Sequence, residues 1–319
     1  MVGVGVFGRN HARVYKELEQ QGEPVRLLGV VDPDLNRADA VASEFGCKGF
    51  GSVHQILTTH SELQAASVAA PTVHHLSVAS ELMKAGVDVL IEKPLAATLA
   101  EAEQLVALAA KHKRIAQVGH LERFNPTILA AEPLLSGPRF IECHRLAPFK
   151  ERGTEVNVVL DLMIHDIDLI QMIVASPVAA LDAVGTPVFS SEIDIANARL
   201  RFENGCVANV TASRVSLKTE RKLRVFRDDA YLSIDLQQKI LTVIRKRATP
   251  AEAGELPVHI EEQSFAQGDA LLAEIQAFLA AIRGQGPVIV SGEDGRRALR
   301  TAIAISERVR ATPPGRPHA

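Results

Sequence analysis

The sequence predicts an α/β protein in two parts, a doubly wound parallel sheet with helices on both faces followed by a second part built on a largely antiparallel sheet. Three observations carry this. Short apolar runs alternate with helical stretches over the first 120 or so residues. The rhythm then changes to consecutive β-like runs across 180–245. A chain of 319 residues also exceeds what one core usually supports.

In the first part, Val25 to Val31 is an apolar run that ends in Asp32-Pro33, and Ala65 to Ala70 is another that ends at Pro71. Asp88 to Ile91 and Arg114 to Val118 repeat the pattern, with helical stretches at Thr72 to Lys84 and Thr98 to Lys111. Short apolar strands between helices predict parallel pairing covered on both faces. Ligands on such sheets bind beyond the carboxyl ends of the strands. In the second part, Ile195 to Phe202 and Val207 to Ala212 are joined by Glu203-Asn204-Gly205, a hairpin signal. Leu223 to Phe226, Ala230 to Ile234 and Lys239 to Ile244 continue the sheet. Leu271, Leu272, Ile275, Phe278, Leu279 and Ile282 form one helical stripe. Ser291 followed by Asp294 resembles the start of a last helix. The expected organisation is a first domain over 1–120, a second over 121–290, a helix over 291–311 that packs back on the first domain, and a flexible Pro- and Gly-rich tail over 312–319.

Composition excludes several classes of function. The 35 basic and 38 acidic residues leave a formal charge of −3, with no general attraction to nucleic acid or acidic membranes. No apolar run is long enough to span a bilayer, and the N-terminus has no secretion-signal pattern, so a cytoplasmic location is expected. Cys47, Cys143 and Cys206 are scattered and match no zinc spacing, so no metal site is expected.

Gly3-Val4-Gly5-Val6-Phe7-Gly8 fits G-x-G-x-x-G. The first glycine permits a tight turn, the second lets the backbone approach a pyrophosphate, and the third lets helix and strand pack closely. A helix starting near Asn10 would aim free N–H groups at the phosphates. Asp32, at the end of the next apolar strand, suits the adenosine ribose hydroxyls and would repel a 2′-phosphate. NAD is therefore favoured over NADP, although Arg37 nearby suits a phosphate. Only Met1 and Val2 precede the motif, where a central strand is expected. A start assigned several residues late is favoured over a fold lacking that strand, because the loss removes two ladders of hydrogen bonds.

Glu92-Lys93-Pro94 stands where the strand from Asp88 ends. A lysine there can orient a reacting hydroxyl and stabilise developing negative charge. Asp161 and His165 lie four apart and share a helix face, where the histidine can take a hydroxyl proton as hydride leaves the same carbon. Asp161 suits orienting a substrate or raising the basicity of the imidazole, and Asp168 is the alternative for the latter. His75, after Pro71, borders the cofactor or is structural.

The glycine motif, Glu92-Lys93-Pro94 and the Asp161–His165 pair, in this order, resemble the Gfo/Idh/MocA oxidoreductase family over nearly the whole chain. The resemblance implies a Rossmann domain followed by an α/β domain with an open, mostly antiparallel sheet. It further implies hydride transfer between a sugar or polyol carbon and the nicotinamide, with Lys93 and His165 handling the proton and Asp161 positioning the sugar. Cofactor contacts are then expected from Gly3, Gly5, Val6, Phe7, Gly8, Asp32, Pro71, His75, Glu92 and Lys93.

Gly119-His120-Leu121-Glu122-Arg123-Phe124-Asn125-Pro126 and Val158 through Asp168 are similar to the branch that oxidises the 3-hydroxyl of UDP-N-acetylglucosamine, whose keto product a partner aminotransferase can aminate. The substrate contacts then expected are His120, Arg123, Asn125, Arg145, Lys150, Arg152, Asp161 and His165. Arginine suits a diphosphate, and Arg214, Lys218, Arg221 and Lys222 form a further basic group. The competing expectations are a dehydrogenase of a free sugar or inositol, which needs no such grip, and a non-catalytic nicotinamide sensor, which needs no proton-transfer groups. A homodimer or homotetramer through the second sheet is expected, as is common in the family.

Overall fold

A computed structural model describes residues 1–151, 153–247 and 257–311. The chain divides into two compact units. The first comprises Met1–Leu121 with Asp269–Leu299, and the second comprises Glu122–Gly268 with the chain from Arg300 on.

In the first unit, strands β1 (Gly29–Val31) and β2 (Lys48–Phe50) pair in parallel, as do β3 (Ala65–Val68), β4 (Asp88–Glu92) and β5 (Ala116–Gly119). Met1 to Gly3 join the two groups. Val2 N donates to Ser67 O and Ala69 N to Val2 O on one side, each at 2.8 Å. On the other side, Gly3 N donates to Val31 O and Val31 N to Met1 O, also at 2.8 Å. The order is thus β2, β1, the Val2 rung, β3, β4, β5, all parallel. These short ladders occupy the position where the sequence lacks a strand. Pairing of β1 begins at Gly29, opposite Lys48 at the start of β2, not at Val25 as its apolar run suggests.

The helices of this unit are α1 (Val6–Gln20), α2 (Leu35–Phe45), α3 (Val53–Thr59), α4 (His75–Lys84) and α5 (Leu99–His112). A Thr98–Glu101 capping box starts α5. Helix α8 (Ala270–Ile282) belongs here too: Leu271, Ile275, Phe278 and Leu279 share a core with Val14, Leu18 and Val30. This corrects the expectation that assigned 121–290 as a whole to the second domain. The stripe of α8 matches the apolar face of α1, a complementarity that chain order does not reveal. At the start of α9 (Gly292–Ala311), Ser291 Oγ accepts from Asp294 N at 3.2 Å, and Ser291 N donates to Asp294 Oδ2 at 2.9 Å. The shorter aspartate thus serves in a capping box. Residues up to Leu299 of α9 belong to the first unit and the remainder to the second.

The second unit is built on eight strands in the order β13 (Val258–Ser264), β12 (Ile240–Lys246), β11 (Ala230–Asp235), β10 (Glu220–Phe226), β6 (Phe140–Leu146), β9 (Val207–Ser213), β8 (Ile195–Phe202) and β7 (Val178–Thr186). Neighbours are antiparallel except β6 and β9, which run parallel. The predicted hairpin joins β8 to β9, with Gly205 at φ 86° and its N–H on Phe202 O at 3.0 Å. β8 alternates buried and exposed residues, so Ala196, Ala198, Leu200 and Phe202 face the core and Asn197, Arg199 and Arg201 face away. Helix α6 (Pro126–Ala131) and a helical run from Val159 complete the unit. Among the described residues, no helix is long and apolar enough to cross a membrane. The expected flexible tail lies outside the described residues.

Candidate active site

The predicted cofactor residues form one connected constellation in the first unit. Gly3 has φ +80°, and a Cβ there would stand 2.5 Å from Ala70 N, just before Pro71. A Cβ on Gly8 would lie 1.8 Å from Gly3 O, so both glycines are sterically required. Around a Cβ on Gly5 nothing lies within 4 Å, and Gly5 is the N-cap of α1 with no side chain bonded to the cap. Val6 and Phe7 are exposed in the first helical turn. This is a cradle of backbone N–H groups open on one side, which fits a pyrophosphate.

Asp32 is buried at the end of β1, where its Oδ2 accepts from Val4 N at 3.0 Å and its Oδ1 from Asp34 N at 3.0 Å. The carboxylate thus ties the glycine turn to β1. Arg37 donates to it at 3.2 Å, so that guanidinium stands beside an acid rather than forming a separate phosphate pocket.

His75 joins the end of β3 to the Lys93 corner. Its Nε2 lies 2.9 Å from Ala70 O and its Nδ1 3.1 Å from Pro94 O, across the cis Lys93–Pro94 peptide. Burial pushes its pKa down, and the ring is 1% exposed. These contacts brace the end of β3 against the Lys93 corner. Glu92 ends β4, with Oε1 3.1 Å from His11 Nε2 and Oε2 accepting from Lys93 N at 3.3 Å. Lys93 is half-buried at this corner.

In the second unit, Asp161 lies in a π-helical turn, Val159–Met163, that runs directly into α7 (Ile164–Val174), which carries His165. Asn157 starts the run, its Oδ1 accepting from Val159 N and Leu160 N at 3.1 Å each. Asp161 and His165 thus lie four residues apart across the junction of the two, and π-turns inside α-helices concentrate at functional sites. Both residues are half-buried, whereas Asp166 and Asp168 are buried.

The expected diphosphate grip is corrected at several positions. Arg123 holds Asp168 in a two-pronged pair of 2.7 and 2.6 Å, so Asp168 is engaged there rather than on the imidazole. Arg145 grips Asp166 at 2.9 and 2.7 Å and Glu122 at 2.8 Å. Burial alone would push the Glu122 carboxyl up, but Arg145 beside it holds it below its usual range. Asn125 caps α6 through Thr127 N and donates to Glu122 and Leu236 O, which uses its amide fully. Arg214 holds Asp194 at 2.7 Å and the carbonyl of Val156. All four are buried, and their polar groups support the fold. His120 is also buried, 1% exposed. Lys150 is exposed, Arg221 and Lys222 border Glu122 and Asp235, Lys218 pairs with Glu220, and Arg152 lies outside the described residues. His11 and Glu274, which border Glu92, are not evident from sequence motifs. The one available signal for Glu274 was a carboxylate inside the apolar stripe of α8.

Comparison with known proteins agrees with this layout. Residues 1–120 match the family model described as oxidoreductase family, NAD-binding Rossmann fold, and 148–312 match that of the oxidoreductase family C-terminal α/β domain. The chain is 37% identical to the UDP-N-acetylglucosamine 3-dehydrogenase of Acidithiobacillus ferrooxidans over 98% of its length and 96% of the relative's. A solved structure of that enzyme covers 97% of this chain, and 96% of its own is matched, with a TM-score of 0.88 at 36% identity. An inositol 2-dehydrogenase of Saccharopolyspora erythraea is 31% identical over 56% of this chain and 54% of its own.

Proposed function

The chain belongs to the Gfo/Idh/MocA family of NAD-binding oxidoreductases, and from that premise we propose that it oxidises the 3-hydroxyl of UDP-N-acetylglucosamine to the 3-keto sugar. The supporting observation is the 37% identity, sustained over 98% of the chain, to an enzyme named for that reaction. Bound NAD supplies the hydride acceptor. Lys93 and His165 handle the proton of the hydroxyl, and Asp161 positions the sugar. Retention of all three supports an enzyme over a nicotinamide sensor.

Among the described residues of the expected grip, the exposed Lys150 and the surface Arg221 and Lys222, which border Glu122 and Asp235, are placed to meet a diphosphate, whereas Arg123, Arg145 and Arg214 are held internally. That internal use favours one second reading, oxidation of a free sugar or inositol. We place the enzyme in the cytoplasm, in keeping with three free cysteines. We assign its keto product to an aminotransferase and expect a homodimer or homotetramer through the outward face of the large sheet. That face carries the half-buried Phe140, Phe226 and Tyr231, with Phe226 and Tyr231 stacked at 4.7 Å.

The test follows absorbance of reduced nicotinamide with NAD and UDP-N-acetylglucosamine, with an aminotransferase added to draw off the ketone. A substrate-dependent rise is expected. Silence with the nucleotide sugar and a rise with inositol would transfer the assignment to the second reading.

A further inference from the structure

Beneath Lys93, in the interior of the first unit, lies a cluster that the proposed chemistry does not use. His11 of α1, Glu92 of β4 and Glu274 of α8 each place a nitrogen or oxygen within 4.8 Å of the others. Glu274 is 0% exposed, and neither of its carboxyl oxygens has a hydrogen-bond partner. Glu92 has little room to retreat. His11 Nε2 stands 3.1 Å from its Oε1, and a Cβ on Gly119 would lie 2.6 Å from that same oxygen. The other groups around Glu274 are Tyr15 of α1, bonded to Ser67 of β3, and Gln117 of β5, whose Nε2 donates to Glu274 O at 3.2 Å. Tyr15 and Gln117 are neutral, and His11, the basic group of the cluster, stands against Glu92 at 3.1 Å, so one imidazole faces two buried carboxyls. Two such groups cannot both ionise cheaply.

We propose that Glu92 and Glu274 hold one proton between them, and that the neutral Glu274 carboxyl, reaching in from α8, is a positioning residue that fixes the Glu92–Lys93 corner. The inference rests on the proposed role of Lys93 only for its effect on turnover. Burial and the neighbouring Glu92 both push the Glu274 pKa well up, in the same direction as the geometry. A proton on Glu274 lets it donate to Glu92, leaving one negative charge under the peptide that carries Lys93. Loss of that proton in alkali places two charges in the pocket and displaces the corner.

The linkage has a definite sign. An acid whose pKa is raised on folding withdraws stability as pH rises from its unfolded value near 4.5 toward its folded value. Glu274→Gln keeps the shape and a donor while abolishing this titration. It is therefore expected to melt at or above the native temperature at pH 8, whereas Glu274→Ala melts below it. Infrared spectra of the protein without substrate should show a protonated-carboxyl C=O band at neutral pH that Glu274→Gln removes. In turnover, Glu274→Gln should keep kcat near native and extend its alkaline limb, with KM for NAD unchanged. Glu274→Ala should lower kcat by about tenfold or more.

Absence of the band, or a Gln variant that melts as low as the Ala variant, overturns the shared proton. A divalent metal that copurifies with native protein and is lost in Glu274→Gln overturns it in favour of a cation on the same three donors. An alkaline limb unmoved by Glu274→Gln overturns the positioning role. Failure of the Lys93 reading shows separately, as turnover surviving Lys93→Ala, and leaves the infrared result untouched.

Discussion

Lys93 and Arg145 illustrate how little a residue's charge says about its task. Both are cations in segments that resemble a nucleotide-sugar dehydrogenase, yet Lys93 is half-buried at a strand end while Arg145 is 3% exposed with two carboxylates around it. Lys93→Ala is expected to lower kcat by about 10²–10⁴-fold while NAD binding, read by fluorescence titration, stays measurable. Abolished NAD binding in a folded variant would contradict the proposed role. Arg145→Met should instead leave Asp166 buried without its cation, and Glu122 with only Asn125 and the more exposed Arg221, and destabilise the protein by about 3–5 kcal/mol, measured by denaturant unfolding. A stable variant whose only defect is a raised substrate KM would return Arg145 to the substrate site.

Among the elements, the glycine turn and the run into α7 carry the most consequence. A Cβ on Gly8 would overlap Gly3 O at 1.8 Å, and helix α1 cannot move away while its inner face is packed in the core. Gly8→Ala is expected to weaken NAD binding by at least about tenfold, or 1.4 kcal/mol, in whatever fraction folds. Gly5→Ala meets nothing within 4 Å in the protein, so any loss of affinity there reports contact with the cofactor itself. The motif that marks these glycines is legible in sequence because Gly3 and Gly8 answer local steric needs and Gly5 keeps the backbone open between them. The π-turn is not legible, since Val159 to Met163 reads as an ordinary helix until Asn157 caps two of its N–H groups.

For the whole molecule, acid is the expected weakness. Asp194 is 0% exposed, and burial alone would raise its pKa. The Ser190 hydroxyl, the Val188 N–H and Arg214 nevertheless hold it well below the usual carboxylate range. A carboxylate depressed on folding contributes stability above its unfolded pKa, near 3.8 for Asp194 and 4.5 for Glu122, and that stability is lost as pH falls through the folded values. The melting temperature should therefore drop as pH is lowered below about 4. Asp194→Asn should melt lower than native at neutral pH and show a flatter acid limb in calorimetry. An acid limb identical in the two proteins would exclude Asp194 as a source of acid sensitivity.

The sequence by itself determined the features that depend on near neighbours in the chain. The β-α rhythm, the glycine turn with Asp32 after it, the Asn204-Gly205 hairpin and the helical spacing of Asp161 and His165 all follow from local sterics and periodicity. The resemblance to the family is carried by the same short motifs, and the family models match across 1–120 and 148–312. Tertiary structure decided the rest. It set α8 against α1 in the first unit, turned Arg123, Arg145 and Arg214 inward to carboxylates, made His75 a brace, and brought Glu274 to Glu92 across more than 180 residues of chain. The physical reason is that a charged side chain has no fixed role until its solvation is known. An exposed arginine stays solvated and can meet a ligand, whereas a buried one must be paired, and burial is a property of the packed molecule alone.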